Sequence, residues 1–411
     1  MAVWIIEPRD PLIVRDGRPF GPNPGVQARS LSFPFPSTTT GGVRTRAGLS
    51  APGGFNRENT QYYKENVERV KKITVRGPLL VELRPDNTSD EREEWLFPAP
   101  LDILLVDDEQ TKATVRKQLV PLEIPEDWEF NLEPPDGQQT EKLTLVGLPK
   151  PDPRKPAKSA PKYWYWKQFF NWLLDPAQYN EQPVNLTELG HNGPQRERRI
   201  HVSIDEYRLV GKDGALFGTS GLEFTNIHDR QEQRLSSARR LALAVAVDNG
   251  TDLTIAEGLG SLGGERRTVS WRKSSSDLPL CPKEIEEEIV KQKACRVILL
   301  TPACFEQGYL PDWLLEEKNS MKLHLKAIAT QRPQVVSGWD FERQGPKPTR
   351  RLAPAGTVLF LSFESEETAI RNWIRRIWMQ CISDKEQDRN DGFGLAVLGT
   401  WSSEPVAMQK G

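Results

Sequence analysis

Every apolar run in this chain is short. The longest read as single strands: Val3 to Ile6, Ile103 to Val106, Leu241 to Val247, Arg296 to Thr301 and Thr357 to Phe363. None approaches the roughly 18–20 residues that a membrane-crossing helix needs. The runs are separated by segments holding most of the 33 prolines and 30 glycines. Proline removes a backbone donor and fixes φ, and glycine admits turns that other residues resist. Such a chain buries its core through many short strands joined by ordered loops. With 411 residues, it is long enough for more than one such core.

The stretch from Ile5 to Leu49 is the densest in polar signals. After the strand-like Val3-Trp4-Ile5-Ile6 come Glu7, Arg9, Asp10, Arg15, Asp16 and Arg18 among prolines and glycines. Their alternating signs suit mutual pairing that pins the loop. Pro34-Phe35-Pro36 forces an extended approach. Ser37, Thr38 and Thr39, then Gly41-Gly42 and Arg44 and Arg46, form a helix-start signal. A hydroxyl there is expected to cap the first turn, and a helix N-terminus favours anions. Two readings stand: a place to hold a phosphate backbone, or an ordinary capped helix with surface arginines.

Charge does not advertise a partner. The 55 cations and 57 anions give 55 − 57 = −2, which excludes a global basic field but not a local basic groove. Four cysteines (Cys281, Cys295, Cys304, Cys381) show no CxxC pair, so neither structural zinc nor a disulfide framework is expected. The N-terminus has no signal-peptide pattern, and a cytoplasmic setting is expected.

Further along, Asn59 to Lys72 reads as a short surface helix. Ile73 to Leu83 reads as two strand pieces bent at Gly77-Pro78. Charge, proline and glycine dominate Asp107 to Ser159, which reads as linker or insertion with one strand near Lys142 to Val146. Trp166, Phe169, Phe170 and Leu173 share a helix face, which suits docking against a core better than base stacking. Arg199 to Asp205 alternates, with Ile200, Val202 and Ile204 on one face, and Gly211 to Gly214 signals the hairpin turn. Glu366 to Ile382 is the clearest helix. The spacing suggests two α+β sandwiches, divided at 194/195: residues 1–194 with an insertion near 107–160, and residues 195–411.

Three more segments offer chemistry. Gly258 to Arg267 contains GxGxxG spacing, but no helix-coded run follows, so it is not a dinucleotide fingerprint. Gly263, Gly264, Arg266 and Arg267 read as an amide-rich loop for phosphate, or as a tight turn with a basic tail. Gly392 and Gly394 lie in a third glycine loop, where Phe393 and Trp401 would stack on bases or pack on a sheet. Val336 to Leu352 carries Trp339, Lys347, Arg350 and Arg351, either a nucleic-acid edge or a solvated charged face. No catalytic motif is present, and His201 is the first candidate for a general base if there is one.

Taken in order, IEPRDPLIVRDGRPF, FPFPSTTTGGVRTRAGL, GLGSLGGERR, SGWDFERQGPKPTRRLAPAGTV and GFGLAVLGTW resemble the third Cmr subunit of type III-B CRISPR effector complexes, in the RAMP superfamily. The likeness does not visibly cover 107–194. It implies an α+β fold of two ferredoxin-like (RRM-like) domains with glycine-rich loops and long insertions. It implies a non-catalytic subunit, without metal or cofactor, that holds the repeat-derived 5′ tag of the CRISPR RNA. It also implies docking on the large polymerase-family subunit, beside the backbone RAMP subunit and with target RNA met indirectly. The tag-binding role falls first on Ser37, Thr38, Arg44 and Arg46, with Thr39, Gly41, Gly42, Arg15 and Arg18 around them. The second and third glycine loops and the Trp339–Arg351 segment follow. The alternatives are a metal-independent RAMP-type endoribonuclease and a purely structural adaptor.

Overall fold

The computed structural model describes the whole chain except residues 16–29, 59, 86–90, 126–142, 228–237, 317–320, 341–344 and 410–411. Arg18 and Asp16 lie outside the described residues. The chain divides into two units that interleave in sequence: Met1–Glu94, Gly193–Asp277 and Val335–Arg351 form one, and Trp95–Asn192, Leu278–Gln334 and Leu352–Gly411 the other. One boundary between the units falls at 192/193. The second half of the chain returns strands to the first unit.

The first unit is built on the strand Ala2–Pro8, buried along its middle. It is flanked on both sides by antiparallel partners from the second half of the chain. Ala238–Asp248 pairs on one side, with Ile5 opposite Ala244, and Arg267–Lys273 on the other, with Ile6 opposite Trp271. Thr74–Pro85 extends the sheet beyond Ala238–Asp248, and Gly258–Leu262 pairs with Arg267–Lys273. Numbering the four principal strands along the chain, their order across the sheet is 4-1-3-2, with Gly258–Leu262 beside the fourth. Ala238–Asp248 has both faces covered, which explains its unbroken apolar run. The helices Pro36–Leu49 and Thr60–Lys71 lie between the first and second strands. The Gly77-Pro78 bend is one continuous strand with a register shift opposite Ala244/Ala246. Gly77 has φ +116°, and a Cβ there would stand 2.8 Å from the Ala244 carbonyl oxygen.

The ribbon Gln195–Ile204 with Gly211–Glu223 belongs to the same unit. Its turn is not at Gly211 to Gly214. It lies at 205–210, where the Asp205 carboxylate accepts from the amides of Tyr207 and Arg208. This local Asx-type capping outcompetes the glycines. Ile200, Val202 and Ile204 are all exposed.

The second unit holds an antiparallel sheet of Leu323–Ala329, Val358–Phe363, Ala294–Leu299, Leu395–Thr400 and Gln380–Cys381, adjacent in that order. Its four long strands again run 4-1-3-2 when numbered along the chain. The helix Glu367–Ile377 buries Ile370, Trp373, Ile374 and Ile377 and stops at Trp378, short of the expected Ile382. The segment expected to be a linker is partly folded: Ile103–Asp107 and Thr114–Gln118 pair as a hairpin, with Pro183–Val184 and Lys155–Pro156 on its flanks. The helix Trp166–Leu174 buries Phe169, Trp172 and Leu173, a docked face rather than a stacking platform. Arg296, fully buried, donates to the carbonyls of Thr400, Trp172 and Leu173 and to the Asp102 carboxylate. Among the described residues no helix is long and apolar enough to cross a membrane.

Candidate nucleic-acid interface

The helix Pro36–Leu49 begins as the sequence says, but not by a hydroxyl cap. Phe35 occupies the cap position without a side-chain hydrogen bond, and Pro36 opens the first turn. The Thr39 hydroxyl is buried and donates back to the Pro36 carbonyl at 3.1 Å. Ser37 and Thr38 are half-buried. Gly41 and Gly42 lie inside the helix. A Cβ at Gly42 would come 2.6 Å from Leu262 Cδ1 and 3.4 Å from the Trp271 ring, so this glycine lets the helix close onto the Gly258–Lys273 hairpin.

The two arginines expected to meet phosphate are directed at backbone. Arg44 donates to the carbonyls of Lys71 and Ile73, at 3.4 and 2.9 Å, joining its helix to the end of the next. Arg46 reaches the carbonyls of Ala256, Glu257, Gly258 and Leu259, and its guanidinium lies 5.5 Å over the Trp271 ring. Partial burial draws its pKa below the ordinary arginine value.

The second glycine loop meets the opening stretch. Leu12, Ile13 and Val14 are buried and extended. Leu12 exchanges backbone hydrogen bonds with Leu222 on one side, and Gly264 N–H donates to the Ile13 carbonyl at 2.7 Å on the other. Gly263, with φ +73°, admits this approach; its Cβ would stand 2.5 Å from Ile13 O. The turn therefore sits beside Arg15. Glu265 accepts from Arg15 at 3.0 Å and from Arg267 at 2.9 Å, and Arg266 is exposed next to them. Two arginines thus converge on one glutamate from two motifs far apart in sequence. Glu265 stands in the GGERR motif, yet no local pattern pairs it with Arg15. In the opening loop, Glu7 pairs with Arg9 and also with Arg240, and Asp10 accepts from the Thr268 amide. Mutual pairing is therefore only part of what pins that loop.

The remaining expected residues lie elsewhere. Lys347 and Arg351 are exposed in the first unit and Arg350 is half-buried, near a short ladder of Trp339–Asp340 with Gly345–Pro346. The third glycine loop belongs to the second unit, and it is a packing device. The amides of Gly392, Phe393 and Gly394 donate to Arg389, Asp388 and Pro302 carbonyls, and the Gly392 carbonyl accepts from Thr301. No amide of the three is left for a phosphate. Phe393 is fully buried and Trp401 packs on Phe360 at 5.4 Å, so neither stacks on a base. His201 bonds the Thr219 hydroxyl and stacks on Phe217. Among the described residues, no group of three His, Cys, Asp or Glu is placed to hold a metal.

The family described as CRISPR-associated protein (Cas_Cmr3) matches residues 4–401. The chain belongs to that family. No curated protein matches it. Among solved structures it is similar to a chain of the type III-B Cmr-beta complex bound to cognate target RNA. That likeness has 14% identity, 99% of each chain covered and TM-score 0.46. A chain of the same complex with target RNA and AMPPnP gives 13% identity, 87% and 86% covered and TM-score 0.43. A chain of the Csm3–Csm4 subcomplex of a type III-A interference complex gives 9% identity, 89% and 94% covered and TM-score 0.30. Within this Cas_Cmr3 chain, Arg15 and Arg267 are one place where cations from separate motifs meet on a shared carboxylate, with Arg266 exposed between Glu265 and Arg267 in the chain.

Proposed function

We propose that this chain is the third, RAMP-superfamily subunit of a type III-B Cmr effector ribonucleoprotein. In this reading it binds the 5′ tag of the CRISPR RNA without cleaving it. It docks on the large polymerase-family subunit and adjoins the backbone RAMP subunit. The observation that carries the proposal is the family match over residues 4–401. The 4-1-3-2 strand order, present in both units, supports two ferredoxin-like domains. The first keeps the helix between its first two strands, and the second keeps the helix between its last two.

Within that function, Arg15, Arg266 and Arg267 are the foremost phosphate contacts, because two of them already share an anionic partner, Glu265, and the third is exposed beside it in the chain. Lys347 and Arg351 come second. Ser37, Thr38, Thr39, Arg44 and Arg46 serve by shaping the helix–hairpin platform. The test is tag-RNA affinity of the assembled complex at a fixed, stated salt concentration. Arg15→Ala with Arg267→Ala is expected to weaken binding about tenfold or more, and unchanged affinity would reject the assignment. Incubation of the purified chain with precursor RNA and a chelator addresses catalysis. Site-specific cleavage abolished by His201→Ala would replace this proposal with the endoribonuclease.

A further inference from the structure

We infer that the 263–267 turn is a phosphodiester site whose resident anion is the chain's own Glu265. The carboxylate is exchanged for a phosphate oxygen when single-stranded RNA enters. The inference rests on the RNA-binding reading above and adds the site's occupant. One oxygen of Glu265 takes Arg15 Nη2 at 3.0 Å and the other takes Arg267 Nη2 at 2.9 Å. A phosphodiester offers the same feature, two anionic oxygens on one centre, to the same two guanidiniums.

Three further observations favour exchange over a fixed ion pair. Glu265 and Arg266 both hold positive φ, +57° and +50°, a region that resists side chains of this kind and that recurs where loops are set for ligands. The Arg267 Nε is buried and has no acceptor among the described residues, so this guanidinium retains a donor that Glu265 does not use. The three side chains are 39%, 41% and 21% exposed for Arg15, Glu265 and Arg267. An ion pair that exposed is weak, and an incoming anion can replace it. The platform beneath is rigid, because Gly264 is hydrogen-bonded to the buried Ile13.

The test uses the full chain and fluorescein-labelled single-stranded oligouridine, read by anisotropy over a series of salt concentrations. Glu265→Gln is expected to tighten binding about three- to tenfold, with a steeper salt dependence, since a further phosphate contact on a single strand adds about 0.7 to the slope. The gain should vanish in an Arg267→Ala background. Glu287→Gln makes the same charge change on an exposed helix position of the other unit, and should leave affinity as it was. Melting curves of Glu265→Gln matching the parent confirm that the comparison is between folded proteins. If the parent binds and Glu265→Gln binds equally, or Glu287→Gln gains as much, the placeholder role is wrong and RNA binding stands. If neither parent nor variants bind, the RNA-binding reading fails and takes this inference with it.

Discussion

The Arg46 guanidinium lies over the Trp271 ring and reaches the carbonyls of four consecutive residues, Ala256, Glu257, Gly258 and Leu259. It is thereby a bolt between the Pro36–Leu49 helix and the hairpin that carries Glu265. Arg46→Ala is expected to lower stability by about 1–3 kcal/mol, because charged hydrogen bonds are lost and carbonyls are left without their donor. Arg46→Lys should restore little, since an ammonium cannot reproduce the planar fork. Urea unfolding measures both. RNA affinity of the folded variant should stay near that of the parent, which separates this arginine from Arg15 and Arg267.

Adjacent glycines in the same helix make opposite predictions. Nothing lies within 4 Å of a Cβ at Gly41, whereas one at Gly42 meets buried Leu262 at 2.6 Å. Gly41→Ala should stabilise by about 1 kcal/mol through helix propensity. Gly42→Ala gains the same propensity but overpacks the hairpin, and should be less stable than Gly41→Ala by about 1–3 kcal/mol. Equal melting temperatures for the two variants would contradict the close helix–hairpin approach.

This pair also shows what the sequence could and could not convey. A helix after Pro34-Phe35-Pro36 was legible, since proline and the following hydroxyls mark a start. Which glycine touches a partner was not, because Leu262 and Trp271 lie far along the chain. The same holds for Gly392 and Gly394. Their turn was legible, but their amides are taken by Arg389 and Pro302, so the anion-binding look of the loop is a by-product of packing. The Glu367–Ile377 helix was legible because amphipathic periodicity is local. The interleaving of the two units was not, because the pairing of Ala2–Pro8 with Ala238–Asp248 and Arg267–Lys273 leaves no periodic trace.

In the second unit, Arg296 and Asp102 are buried together, with side chains 1% and 0% exposed. The other Asp102 oxygen accepts from Trp172 Nε1 at 2.9 Å. Removing one partner of such a pair leaves an uncompensated charge out of water. Asp102→Ala or Arg296→Met should therefore each cost about 3–5 kcal/mol. The double replacement should cost less than the sum of the two, as a double-mutant cycle in denaturant would show.

Acid sensitivity should concentrate in the folded insertion of that unit. Hydrogen bonds from Arg154 hold the Asp152 carboxyl well below the usual carboxylate range, with Lys117 adding to the effect. Arg154 first, then Lys117, also lower Glu181. A carboxylate whose pKa is depressed by folding contributes stability that is complete above its unfolded value, about 4. That contribution is lost as pH falls toward the folded value, because the unfolded chain then binds more protons. Stability is thus expected to decline between about pH 5 and pH 2. Arg154→Gln should flatten this decline by letting both carboxyls titrate nearer their ordinary values, while lowering stability at neutral pH. Unfolding midpoints measured at several pH values in that window decide the matter. Parallel curves for the variant and the parent would show that this cluster does not set the acid response.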